Sequence, residues 1–175
     1  MLLICFISVN SLTDFEQFVK RRPTPFVPNG WPVIGHLTSF FGLRWHPIKH
    51  HRHFHQGIDI ASPQSTPVKA TARGQIKSVG YKKGYGKCVV IDHGHGWETL
   101  YAHLQSSPLR QGDIVISKQF IGKVGISGST TGPHLHYEVR YLDQPQDPLH
   151  FIGGFDRPMF SQLEGWHLGA SFHQD

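Results

Sequence analysis

Between Trp31 and Pro148 the chain is cut into short runs of β-branched and aromatic residues by Gly, Pro, Asn, Asp and Ser, leaving no room for a long amphipathic helix. Such punctuation reads as short strands joined by loops of hairpin length. The expected strands are His36 to Phe41, Pro67 to Ala70, Gly74 to Tyr81, Cys88 to Asp92, Glu98 to His103, Ile121 to Ile126 and His134 to Tyr141. No repeat of solenoid period interrupts them. The pattern predicts an antiparallel all-β domain, a sandwich or a barrel. The 19 Gly and 12 Pro supply its turns, and 38% hydrophobic residues supply a core, which excludes a disordered chain.

One domain is expected from this length. Residues 1–30 read as an N-terminal extension and linker, 31–152 as the domain and 153–175 as a polar, aromatic tail. Within the extension Phe15, Phe18 and Val19 fall at near-helical spacing until Pro23, Pro25 and Pro28 stop any helix. The apolar start, residues 1–9, has no preceding Lys or Arg and no small-residue cleavage site. It is also shorter than the about 20 apolar residues a membrane span needs. Three readings stay open for it: a clipped export signal, the end of a longer upstream region, or a short helix packed on the domain.

The formal charge of +5 suits an anionic partner, and nucleic acid, anionic lipid and cell wall all qualify. No nucleic-acid motif or clustered Lys/Arg stripe accompanies the charge, so no nucleic-acid partner is expected. Cys5 and Cys88 form no CxxC pair. Cys88, in the run Cys88-Val89-Val90-Ile91, reads as a buried thiol. Any metal must therefore be held by His and carboxylate.

The 14 histidines are the compositional anomaly, because clustered His serves as metal ligand, proton carrier or pH sensor. In His134-Leu135-His136 the imidazoles stand two apart on an expected strand, so both enter one space. His93-Gly94-His95 has the same spacing but lies among glycines, where a solvated hairpin tip is expected. His55 and Asp59, four apart, approach one another on a helix turn or on one face of an extended segment. With His136 they offer two imidazoles and a carboxylate, a set suited to Zn²⁺ with a fourth position left for water. His103, at the end of a strand-like run, and His134 are placed to move protons.

His55-Gln56-Gly57-Ile58-Asp59, Tyr101-Ala102-His103-Leu104 and Thr131-Gly132-Pro133-His134-Leu135-His136-Tyr137-Glu138 resemble, in order and separation, the HxxxD, YxHL and HLH motifs of lysostaphin/LytM-type metallopeptidases. The likeness extends over Trp31 to Ile152, through Leu37 to Arg44, Thr66 to Ala70, Gly84-Tyr85-Gly86, Ile91 to Gly94 and Ile121 to Gly125. It implies a two-sheet antiparallel β-sandwich, the duplicated hybrid motif fold. It implies one Zn²⁺ held by His55, Asp59 and His136, and a catalytic pair in His103 and His134. The activity it implies is cleavage of peptide cross-links in peptidoglycan stems by a monomer in the cell envelope, periplasmic or secreted. The competing reading is a non-catalytic member that activates other wall hydrolases.

Ser65 and Lys118 stand where many relatives have a turn Gly, which leaves the local turn geometry open. His46, His50, His51 and His53 form a tract before His55 that reads as an exposed loop or as groove lining. Glu138 reads either as an orienting partner of His136 or as a solvated strand carboxylate. Tyr85, Tyr101 and Tyr137 suit the lining of a substrate groove and core packing about equally.

Overall fold

The computed structural model describes residues 26–45 and 52–153. The apolar start, Cys5, the near-helical segment, His46, His50, His51 and the tail from residue 154 lie outside these residues; of His53 only the backbone is described.

The described chain forms thirteen strands and one short helix. In order they are β1 (His36–Ser39), β2 (Gly42–Trp45), β3 (Arg52–His55), β4 (Ile58–Ala61), β5 (Pro67–Lys69), β6 (Gly74–Lys82) and β7 (Gly86–Gly94). There follow β8 (Trp97–Ala102), β9 (Leu104–Ser106), β10 (Ile114–Val115), β11 (Phe120–Val124), β12 (His134–Tyr141), β13 (Gln144–Gln146) and α1 (Leu149–Ile152). An eight-stranded sheet runs β1-β4-β12-β8-β7-β6-β10, with β13 also paired to β12. A three-stranded sheet runs β5-β11-β9, and β2 and β3 form a separate hairpin. These strand pairings are antiparallel. The all-β antiparallel expectation is met.

Alternation along the strands divides the molecule. Ile58 and Ile60 of β4, Val89 and Ile91 of β7, Tyr101 of β8, and Leu135, Tyr137 and Val139 of β12 point to one side of the large sheet. They pack there with Val68, Leu104, Ile121 and Val124 of the small sheet in one buried cluster. Each such aliphatic side chain contributes about 1.5–3 kcal/mol by leaving water. The other side of the large sheet carries a smaller cluster of Cys88, Val90, Leu100 and Ala102, with Tyr85 packed against it. A strand must show its alternate residues to opposite faces. Asp59, His134, His136 and Glu138 therefore belong to this second side, away from the main core.

Tyr101 and Tyr137 are fully buried, and both hydroxyls bond Thr71. They are core residues, which removes the groove-lining reading for them. Cys88 is a buried free thiol, as its apolar run predicts. Ser65 and Lys118 adopt left-handed φ of 72° and 68°, so non-glycine residues occupy the turn conformations that favour Gly. The last residues of the expected linker lie on the domain: Asn29 N–H donates to the Thr71 carbonyl and Gly30 N–H to that of Phe151.

Candidate metal centre

The register of the large sheet places the chemistry. On β12, His136 pairs with Asp59 of β4 on one side and with Ala102 of β8 on the other. His55 ends β3 and reaches the same point because only Gln56 and Gly57 separate it from β4. Gly57 is required there: a Cβ would stand 2.2 Å from the Tyr137 carbonyl oxygen and 2.8 Å from Glu138 Cγ. The absent side chain lets the segment lie directly on β12.

Three ligand-type atoms converge as a result. His136 Nδ1 lies 2.8 Å from Asp59 Oδ1 and 3.0 Å from His55 Nε2, and His55 Nε2 lies 3.2 Å from Asp59 Oδ1. A tetrahedral ion with bonds of about 2.0–2.1 Å has ligand-to-ligand edges of about 3.3–3.4 Å, so this triangle has nearly the size of one face of such a shell. Among the described residues, this is the set of three His, Cys, Asp or Glu that converges on one point. The donors present fit a metal ion.

Each imidazole of the region has one nitrogen committed elsewhere. His55 Nδ1 lies 2.8 Å from the Phe40 carbonyl oxygen, His103 Nδ1 2.7 Å from that of Ser127, and His134 Nδ1 2.8 Å from that of Gly132. A carbonyl only accepts, so these three Nδ1 atoms donate and each neutral ring keeps its lone pair at Nε2. His136 is turned the other way, with Nε2 at 2.9 Å from Glu138 Oε1 and Nδ1 at the centre. His103 and His134 face one another with ring centroids 4.6 Å apart. His134 Nε2 is 3.9 Å from Asp59 Oδ1. His103 holds its place in a left-handed backbone, φ 58°, just past β8.

The charges follow from these contacts. Burial works to raise the Asp59 carboxyl, but the hydrogen bond from His136 and the adjoining His55 overcome it and hold the group well below the usual carboxylate range. His136 is buried, which disfavours its cation, yet its bonds to Asp59 and Glu138 push it up to about 9. In the metal-free protein its Nδ1 proton is therefore the one a metal ion must displace. Burial lowers His103 to about 4, only partly opposed by the Ser127 carbonyl, so it is neutral at pH 7.

All five residues singled out in the sequence stand together here. Glu138 is fully buried and hydrogen-bonded to His136, which removes the solvated reading. Tyr85, whose ring centroid is 5.6 Å from that of His136, donates its hydroxyl to Glu138. The carbonyl contacts of Phe40, Ser127 and Gly132 have no sequence signal, because every residue carries that group. His93 corrects an expectation: far from a solvated tip, it is 2% exposed and held between the Arg73 carbonyl and the Thr99 hydroxyl. Only His95 is exposed at the turn.

Residues 53–148 match the family model described as Peptidase family M23. The DD-carboxypeptidase/endopeptidase Mpg of Neisseria meningitidis is 50% identical over 117 residues, which cover 67% of this chain and 27% of that protein. Peptidoglycan DD-endopeptidase ShyA of Vibrio cholerae is 36% identical over 136 residues, 78% of this chain and 30% of that one. The chain thus spans under a third of the length of either relative. A solved zinc-containing peptidase from Vibrio cholerae superposes with a TM-score of 0.65 at 34% identity, covering 69% of this chain and 39% of that chain. The strand order, the convergent triad and these matches agree with the likeness seen in the motifs, and the chain belongs to peptidase family M23.

Proposed function

We propose that this chain is a zinc-dependent endopeptidase that hydrolyses peptide cross-links of bacterial peptidoglycan. His55, Asp59 and His136 hold one zinc, and His103 and His134 form the catalytic pair. The observation that carries the reading is the triangle of ligand atoms with two further imidazoles beside it, each held by its Nδ1 on a backbone carbonyl. When bound, zinc supplies a Lewis acid that polarises the scissile carbonyl and acidifies a water.

The chain's own groups do the rest. Asp59, kept ionised by His136 and His55, offsets the charge of the ion. The His103–His134 pair accepts the water's proton at an Nε2 atom, donates a hydrogen bond to the oxygen on which charge builds, and passes the proton to the departing amine nitrogen. Their Nδ1 bonds to Ser127 and Gly132 fix the rings so that only Nε2 takes part. The net charge of +5 suits an anionic wall polymer. The substrate follows from the relatives named for peptidoglycan, and with it a place in the cell envelope. No helix among the described residues is long and apolar enough to cross a membrane. Residues 31–152 are proposed as the catalytic unit, acting as a monomer.

The test is digestion of purified peptidoglycan by the zinc-replete chain, with released fragments identified by mass spectrometry. Cross-linked peptides should be cut by wild type and left intact by Asp59→Ala. Absence of any cut product with wild type would overturn the endopeptidase reading and favour an activator of other hydrolases.

A further inference from the structure

We infer that Glu138 is a positioning residue that dictates which nitrogen of His136 faces the metal centre, with Arg140 fixing the polarity of that control. The inference rests on the reading of His136 as a ligand through Nδ1. An imidazole can present Nδ1 to a metal only if its proton sits on Nε2.

Glu138 is built to ensure this. Its side chain is 0% exposed, and a carboxylate so placed persists only when its oxygens are filled. Oε1 accepts from His136 Nε2 at 2.9 Å and from the Tyr85 hydroxyl at 2.8 Å. Oε2 accepts from Arg140 Nε at 2.8 Å and also from Arg140 Nη2. Paired with the Arg140 guanidinium on Oε2, the carboxylate only accepts, so the His136 proton is drawn to Nε2.

The two oxygens are equivalent in Glu138 but not in an amide of the same shape. In Glu138→Gln, Arg140 can only donate, so the amide oxygen must turn to Arg140. The NH₂ group then points at His136 Nε2, which has to accept. That drives the imidazole proton onto Nδ1, the atom 2.8 Å from Asp59. Removing Arg140 releases the constraint, because the amide is free to turn its oxygen back to His136. A loss caused by the first substitution should therefore be repaired by the second. A merely structural ion pair would give no repair.

The experiment measures zinc affinity by chelator competition for wild type, Glu138→Gln, Arg140→Leu, the double variant and His136→Ala, with thermal melts of each. Glu138→Gln should weaken zinc binding by about 10–100-fold. Arg140→Leu alone should weaken it less, and the double variant should regain most of the affinity. Wild-type affinity in Glu138→Gln, with zinc lost in His136→Ala, would overturn the positioning role and leave the ligand assignment standing. A double variant no tighter than Glu138→Gln would also overturn it. Should Glu138→Gln fail to fold, the double variant, with no unpaired charge, decides alone: affinity near wild type supports the role and loss refutes it. Wild-type affinity in His136→Ala would remove the underlying ligand reading and the inference together.

Discussion

His134-Leu135-His136 and His93-Gly94-His95 share spacing and end residues, yet the fold gives them opposite uses. The first lies at the head of an eight-residue strand flanked by β4 and β8, so regular alternation sends both rings to the same side. The partners that meet them there are Asp59, His55 and Glu138. The second straddles the end of β7, where Gly94 at φ 79° and His95 at φ 52° break the alternation. His93, before the break and two past the core residue Ile91, keeps the inward side and meets the Arg73 carbonyl and Thr99, while His95, after it, is left at the surface near Phe26. The spacing of two histidines becomes chemistry only where the backbone stays extended and a carboxylate stands across from it.

The largest effect expected on this contrast is kinetic. His103→Ala should lower peptidoglycan cleavage by about 10²–10⁴-fold while zinc is retained, measured by fragment release and metal content of the same sample. Undiminished cleavage would take His103 out of the mechanism.

At the second tripeptide the effect should be on stability alone. His93→Ala takes the imidazole from the Arg73 carbonyl and leaves the Thr99 hydroxyl with Tyr101 alone, a cost of about 1–3 kcal/mol, with zinc content unchanged. Burial lowers the His93 pKa, the Arg73 carbonyl opposing it. The folded protein thus binds this proton less readily than the unfolded chain does, whose His titrates near about 6.5. The stability His93 contributes is present above that pH and falls as the solution is acidified through and below it. Denaturant melts at neutral and mildly acidic pH should show a shallower loss in His93→Ala than in wild type. Equal slopes would contradict the burial account. The smallest effect belongs to His95→Gly, which relieves a left-handed φ at an exposed turn and should move stability by less than about 1 kcal/mol in melts.

The long strands β6, β7, β8 and β12 were legible because β-branched and aromatic runs ended at turn residues. The two-residue β10 and the four-residue β3 and β4 carry too little pattern to stand out. The His36 strand ends at Ser39 rather than Phe41, and Phe40 leaves the sheet to offer its carbonyl to His55. In the site, residues recognised by side-chain type were readable. Their tautomers were not, since those are set by carbonyls of Phe40, Ser127 and Gly132. The burial of His93 was hidden for the same reason, its partner carbonyl lying on Arg73, twenty positions back.

The most direct test is metal content of wild type, His136→Ala and His93→Ala, purified and loaded side by side and measured by elemental analysis. The predicted result is about one zinc per chain in wild type and His93→Ala and almost none in His136→Ala. Full zinc in His136→Ala, or its loss in His93→Ala, would contradict the assignment of the centre to the β4–β12 crossing.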